Sequence, residues 1–147
     1  MVDNNLLAKF EELLSLENEL KDDAYGEVRH PFSESVKEHK GTIEDPLPFP
    51  YIEYSDVVRK LVKAIYNFHD ANPDYDLKNY MDILECNGYK DINIDTIDVS
   101  AMDDKCLMAL FMALVRGERF CDGLILGALE EGAVQRWLKR LREIVNN

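Results

Sequence analysis

The densest gathering of residue types able to do chemistry is Arg116-Gly117-Glu118-Arg119-Phe120-Cys121-Asp122-Gly123. Arg116 and Arg119, three residues apart, can share one helix face, and Asp122, three beyond Arg119, is within reach for a helical ion pair. Gly117 permits a break there, so a helix opening after it would aim its free N–H groups at this corner. Guanidinium groups beside a helix N-terminus make an anion site. One expectation is therefore an anionic small molecule held by Arg116 and Arg119, with Glu118 or Asp122 as acid–base. A simpler expectation takes precedence over it. Charged groups forced between buried helices must be paired, and an Arg–Asp/Glu lattice stapling the corner does that with no ligand.

Other constellations are thinner. Asp70-Ala-Asn72-Pro-Asp74-Tyr-Asp76 and Asp91-Ile-Asn93-Ile-Asp95 place oxygens at alternating positions, as a calcium loop does. Tyr75 and Thr96 stand where such a loop needs glycine, however, and Met81 and Met102 where it needs a bidentate glutamate. His30, His39 and His69 lie far apart, with no His-Glu-x-x-His spacing, so neither a metal nor a cofactor is expected. Cys121 beside Arg119 invites a lowered thiol pKa, but a buried, inert thiol on an apolar helix is the plainer expectation. Gly123 and Gly127 form a small-x-x-x-small pair, read here as close internal helix packing. No nucleophile elbow, phosphate-binding glycine loop or dinucleotide fingerprint is present in the sequence.

From Leu107 to Leu141 the chain resembles the C-terminal signature of a small bacterial protein family of unknown function. The resemblance rests on an apolar helix, then Arg116-x-Glu118-Arg119-Phe120-x-Asp122-Gly123, then Glu131-Gly132 and a helix carrying Leu138-x-x-Leu141. It covers about a quarter of the chain and implies a bacterial origin and a shared corner, with no activity attached.

The elements that must position this corner follow from hydrophobic period. A first helix starts near Asp3 or Asn4 and runs to about Lys21, with Leu6, Leu7, Phe10, Leu13, Leu14 and Leu20 on one stripe. Residues 24–54 form a long proline-containing loop, because Pro31, Pro46, Pro48 and Pro50 break helices. Leu47, Phe49 and Tyr51 make an extended strip there, and a hairpin around Gly41 is open. That loop is read as packing over the helices, with a lid as the alternative. A second helix opens near Ser55 and ends at Pro73; a third spans about Asp76 to Asn87 with Gly88 as left-handed cap. Ile92, Ile94, Ile97 and Val99 make either a short strand or an extended connector. Ser100-Ala-Met-Asp103 reads as a capping box before the fourth helix. The fifth helix runs from about Glu118 to Glu131, and the sixth from Ala133 to Val145. The fourth and fifth form a central, near-continuously apolar pair. The expected fold is mainly α, a compact six-helix domain over residues 1–147 with at most a minor β element and its helical core in 101–145.

Composition narrows the function classes. The chain has 147 residues, 29 acids against 17 bases and a net charge of −12. Such a field repels nucleic-acid phosphates and anionic lipid surfaces, so neither partner is expected. Arg136, Lys139, Arg140 and Arg142 against Glu143 give the last helix +3, leaving −15 on the first 131 residues. With Trp137, that helix imitates a membrane-surface or partner-groove helix, but docking onto its own domain is preferred. The longest apolar run, Cys106 to Val115, is ten residues, half of what a membrane span requires. Three cysteines with no Cys-x-x-Cys and no leader pattern point to the cytoplasm. The expectation is a small cytoplasmic protein-interaction or regulatory domain without catalysis, its partner another protein or a second copy. The alternatives are the anion-binding enzyme or sensor at the Arg116/Arg119 corner and a structural subunit of a larger assembly.

Overall fold

In the computed structural model, residues 4–20, 24–29 and 51–147 are described. Among them are six α-helices and one two-stranded ribbon, a mainly α fold with a minor β element. Helix α1 spans Asn4–Leu14 and buries Phe10, Leu13 and Leu14. It stops short of the expected end because the Ser15 hydroxyl donates to the Glu12 carbonyl at 2.7 Å. The backbone then tightens to i→i+3 bonds, Leu16 N–H to Leu13 O at 3.1 Å and Glu17 N–H to Leu14 O at 3.2 Å. The apolar stripe outlives the helix: Leu16 and Leu20 are buried in the turns beyond it.

Strands β1 (Gly26–Arg29) and β2 (Tyr51–Tyr54) pair antiparallel, with Gly26 opposite Tyr54 and Val28 opposite Ile52. Both ends of the stretch read as loop are thus ribbon. The Gly41 turn and the Leu47/Phe49 strip lie outside the described residues. Helix α2 (Asp56–Ala71) buries Val57, Val58, Leu61, Ala64, Ile65 and Phe68 and ends before Pro73. The expected third helix divides. Pro73–Tyr75 and Leu77–Asn79 are single 3-10 turns joined at Asp76, whose φ of 53° cannot continue a right-handed helix. Only Tyr80–Cys86 is α-helical, here α3. Gly88 caps it at φ 88°. Residues 90–103 are an irregular connector without strand pairing.

Helix α4 (Asp104–Gly117) buries every residue from Cys106 to Val115 except Ala113. Its cap is Asp103, not Ser100: the Asp103 Oδ1 accepts the Cys106 N–H at 2.8 Å. Ser100 is committed earlier, its N–H donating to Asp98 Oδ1 at 2.9 Å in a separate turn. That charge-assisted bond holds the Asp98 carboxyl below its ordinary pKa. Helix α5 covers only Leu124–Glu130 and α6 covers Ala133–Asn146. One long helix therefore occupies the centre rather than an apolar pair. Helix α4 packs against α2, α3, α5 and α6, while α1 packs against α2 and α6. The Trp137 ring is fully buried and meets Phe111 edge-on at 5.3 Å between centroids.

The basic α6 docks on its own chain, as expected. Arg140 donates through Nε and Nη2 to the Met102 carbonyl at 3.0 and 2.9 Å, pinning the α4 entry. Arg142 pairs with Glu17 at 2.7 Å, tying α6 to the turns after α1. Arg136 donates to the Glu131 and Asp95 carbonyls.

Candidate functional site

The corner after α4 is built by a crowded glycine and an inward-turned glutamate. A Cβ on Gly117 would stand 2.5 Å from Leu124 Cδ2, so the glycine lets the Leu124 side chain lie against the end of α4. Residues 118–123 are then turns, not the first turn of a helix. Gly123 adopts φ 93° and places the α5 N-terminus against the ribbon, where Ile52 Cδ1 lies 3.0 Å from a Cβ position on that glycine. Gly127 has nothing within 4 Å of such a position, so the glycine pair is not a helix-packing motif.

The α5 N-terminus already has its anion. Glu118 Oε2 accepts the Gly123 N–H at 2.9 Å, and Oε1 accepts the Ile125 N–H at 2.8 Å. Tyr54 adds a third bond, donating its hydroxyl to Glu118 Oε1 at 2.8 Å and taking the Leu126 N–H at 3.4 Å. Burial, then the Glu118 hydrogen bond and charge, hold the Tyr54 hydroxyl well above the ordinary tyrosine range. Strand β2 is thereby latched to the α4–α5 turn. Glu118 is half-buried and accepts from three donors, two on Oε1 and one on Oε2, so its carboxylate holds the turn together.

The arginines go elsewhere. Arg119 is exposed and donates to the Tyr66 hydroxyl at 3.4 Å. The Arg116 guanidinium carbon sits 5.6 Å from the centre of the same tyrosine ring. Among the described residues neither arginine pairs with a carboxylate, and the Arg119–Asp122 ion pair is not formed. Helical spacing predicted that pair, and the turn conformation of 118–123 removes the spacing. Asp122 is exposed at the rim. The corner thus brings Arg116 and Arg119 together on Tyr66 and sends Glu118 inward.

Phe120 is the outstanding surface feature, 92% exposed at the tip of the turn. Beside it Cys121 is exposed and lies in the turn, contrary to the buried helical thiol expected. The buried thiol is Cys106, pushed up to about 11 by burial and then by the Asp103 charge. Among the described residues no three His, Cys, Asp or Glu side chains gather as a metal site; His30 and His39 lie outside them. Likewise, no helix among them is long and apolar enough to cross a membrane. Tyr54 and Tyr66 were invisible to sequence reasoning as partners of the corner. Only the alternation in Tyr51-Ile-Glu-Tyr54 hinted that Tyr54 faces the same way as Ile52.

These features define a helical protein whose long central helix ends in a cationic, aromatic turn latched to a β-ribbon. The profile of a family of unknown function (DUF6508) matches residues 24–147, and the chain belongs to that family. No curated protein and no solved structure matches it. The match spans far more than the Leu107–Leu141 stretch that first carried a resemblance, and it takes in the ribbon and the corner alike.

Proposed function

We propose that the chain is a single-domain, non-catalytic interaction module of the bacterial cytoplasm. It docks an acidic, apolar-anchored segment of another protein on the turn of Arg116, Arg119 and Phe120. The observation that carries this is the pairing of a phenylalanine 92% exposed with two guanidinium groups that have no carboxylate partner among the described residues. A docked anchor would cover Phe120, and carboxylates beside it would satisfy the arginines, the arrangement of aromatic and Arg anchors that dominates protein interfaces. Free thiols at Cys86, Cys106 and Cys121 fit a reducing compartment.

The test is fluorescence anisotropy with a labelled peptide of alternating glutamate and leucine, against its lysine–leucine counterpart. Binding of the acidic peptide alone, lost in Phe120→Ser and in the double variant Arg116→Ala/Arg119→Ala, is the expected result. Equal binding of both peptides, or binding that survives both variants, would refute it. The convergence of both arginines on Tyr66 favours a second reading, a sensor of a small oxyanion such as phosphate. Phosphate that raises the melting temperature of the wild type but not of the double arginine variant would establish that reading instead.

A further inference from the structure

A second site lies on the other flank of α4. A cleft of about 400 Å³ opens between α3, residues 89–94 and α4, within the roughly 300–1,000 Å³ of small-molecule pockets. Its floor is Ala113, the one residue from Cys106 to Val115 that is not buried. A methyl group there leaves room that any larger apolar side chain on this central helix would fill. Leu84, Ile92 and Ile94 furnish apolar wall. Tyr80 and Tyr89 line it as half-buried rings, and Met81, 62% exposed, stands beside them.

The charges on the lining decide the ligand's sign. Glu85 and Asp91 stand against Lys90, an excess of one negative charge on a chain of net charge −12. None of the three is in an ion pair among the described residues. Asp91 adopts φ 52°, a left-handed conformation that aspartate takes more readily than most residues. Aromatic faces, a thioether and surplus carboxylate together attract a cation that also carries an apolar body.

We infer that the cleft floored by Ala113 binds a small organic ammonium with a flat or branched apolar body. The site is independent of the Phe120 turn. Isothermal titration calorimetry of the whole chain with tryptamine and with indole-3-propionate, which share a ring and differ in charge, tests it. Tryptamine is expected to bind and indole-3-propionate not. Ala113→Leu, which fills the floor, is expected to weaken tryptamine by about tenfold or more, roughly the cost of losing one good apolar contact set. Should that variant fail to fold, Glu85→Gln with Asp91→Asn removes both surface carboxylates, and asparagine keeps the left-handed backbone. That pair is expected to weaken tryptamine by a similar factor. Equal affinity for the two probes, no binding of tryptamine, or binding indifferent to every variant would overturn the assignment.

Discussion

Removing the Glu118 carboxylate should unlatch the ribbon from the α4–α5 corner, and the cost can be worked bond by bond. Glu118→Ala strands the N–H groups of Gly123 and Ile125 and the hydroxyl of Tyr54, now held at 2.9, 2.8 and 2.8 Å. Losing a side-chain acceptor at a helix start costs about 0.5–2 kcal/mol. Leaving a half-buried hydroxyl without its charged acceptor adds about 1–2 kcal/mol. Ile125 is buried, so water reaches its N–H poorly, whereas Gly123 is half-buried and recovers part of its bond from solvent. The expected loss is about 2–4 kcal/mol, a large share of the ~5–15 kcal/mol that holds most domains folded. Urea unfolding followed through the single, fully buried Trp137 reads it directly. With a urea slope of about 2 kcal/mol per molar, the midpoint should fall by about 1–2 M. Tyr54→Phe removes one of the three bonds and should cost about 1 kcal/mol. The double variant should cost less than the sum by about 0.5–1 kcal/mol, because the two side chains share one bond. A Glu118→Ala loss under about 0.5 kcal/mol, or strict additivity with Tyr54→Phe, would refute the latch and return Glu118 to the pool of free carboxylates.

Arg119→Ala should change stability by no more than about 0.5 kcal/mol in the same assay, since its long bond to Tyr66 is exposed. A loss near 3 kcal/mol would mean a buried pair had been broken there. Gly117→Ala should change stability by no more than about 1 kcal/mol, because the Leu124 Cδ2 that its Cβ would meet at 2.5 Å ends a half-buried side chain able to turn aside, while alanine favours helix by about 1 kcal/mol; a loss above about 2 kcal/mol would show that Leu124 cannot move. An aromatic disulfide reagent should titrate Cys86 and Cys121 in the native protein and reach the buried Cys106 only after denaturation. The Cys106 thiol, pushed up to about 11 when folded, keeps its proton where the unfolded thiol loses its own near about 8.5. Its contribution is therefore intact below about pH 8.5 and lost as the pH climbs towards 11, with a slope of up to about 1.4 kcal/mol per pH unit that Cys106→Ala should remove.

Helical period made most of the fold legible. The stripes of α2 and α6 and the buried run of α4 were written in leucine, isoleucine and valine spacing, and Pro73 and Gly88 marked their boundaries as backbone chemistry demands. What period could not show was where an apolar stripe continues without a helix, as at Leu16 and Leu20, where hydroxyl back-bonding tightened the chain. Nor could it place Asp76 in a left-handed conformation, which divided the expected third helix. The site was legible as a set of residues and illegible as a geometry. Spacing put Arg119 and Asp122 on one helix face, but the helix stops at Gly117 and residues 118–123 are turns. Glu118 then found its partners in its own following turn and in Tyr54, 64 positions away in sequence.

That exchange also decides what kind of partner the corner can hold. An isolated helix N-terminus would have offered an incoming anion several aligned N–H donors. Here Glu118 already accepts from two of them, so an external anion meets guanidinium groups alone. Exposed ion pairs of that sort contribute about 0–1 kcal/mol each and weaken further with salt. Covering the Phe120 ring contributes about 1.5–3 kcal/mol and does not weaken with salt. A small oxyanion can draw only on the first contribution, whereas a protein segment draws on both. Binding of the acidic peptide should accordingly fall only a few-fold between 50 and 500 mM salt, while Phe120→Ser should cost about tenfold or more at either concentration. If instead the affinity vanished with salt and ignored Phe120, the arginines alone would be the site, and a sensor of small anions would be the better description of the corner.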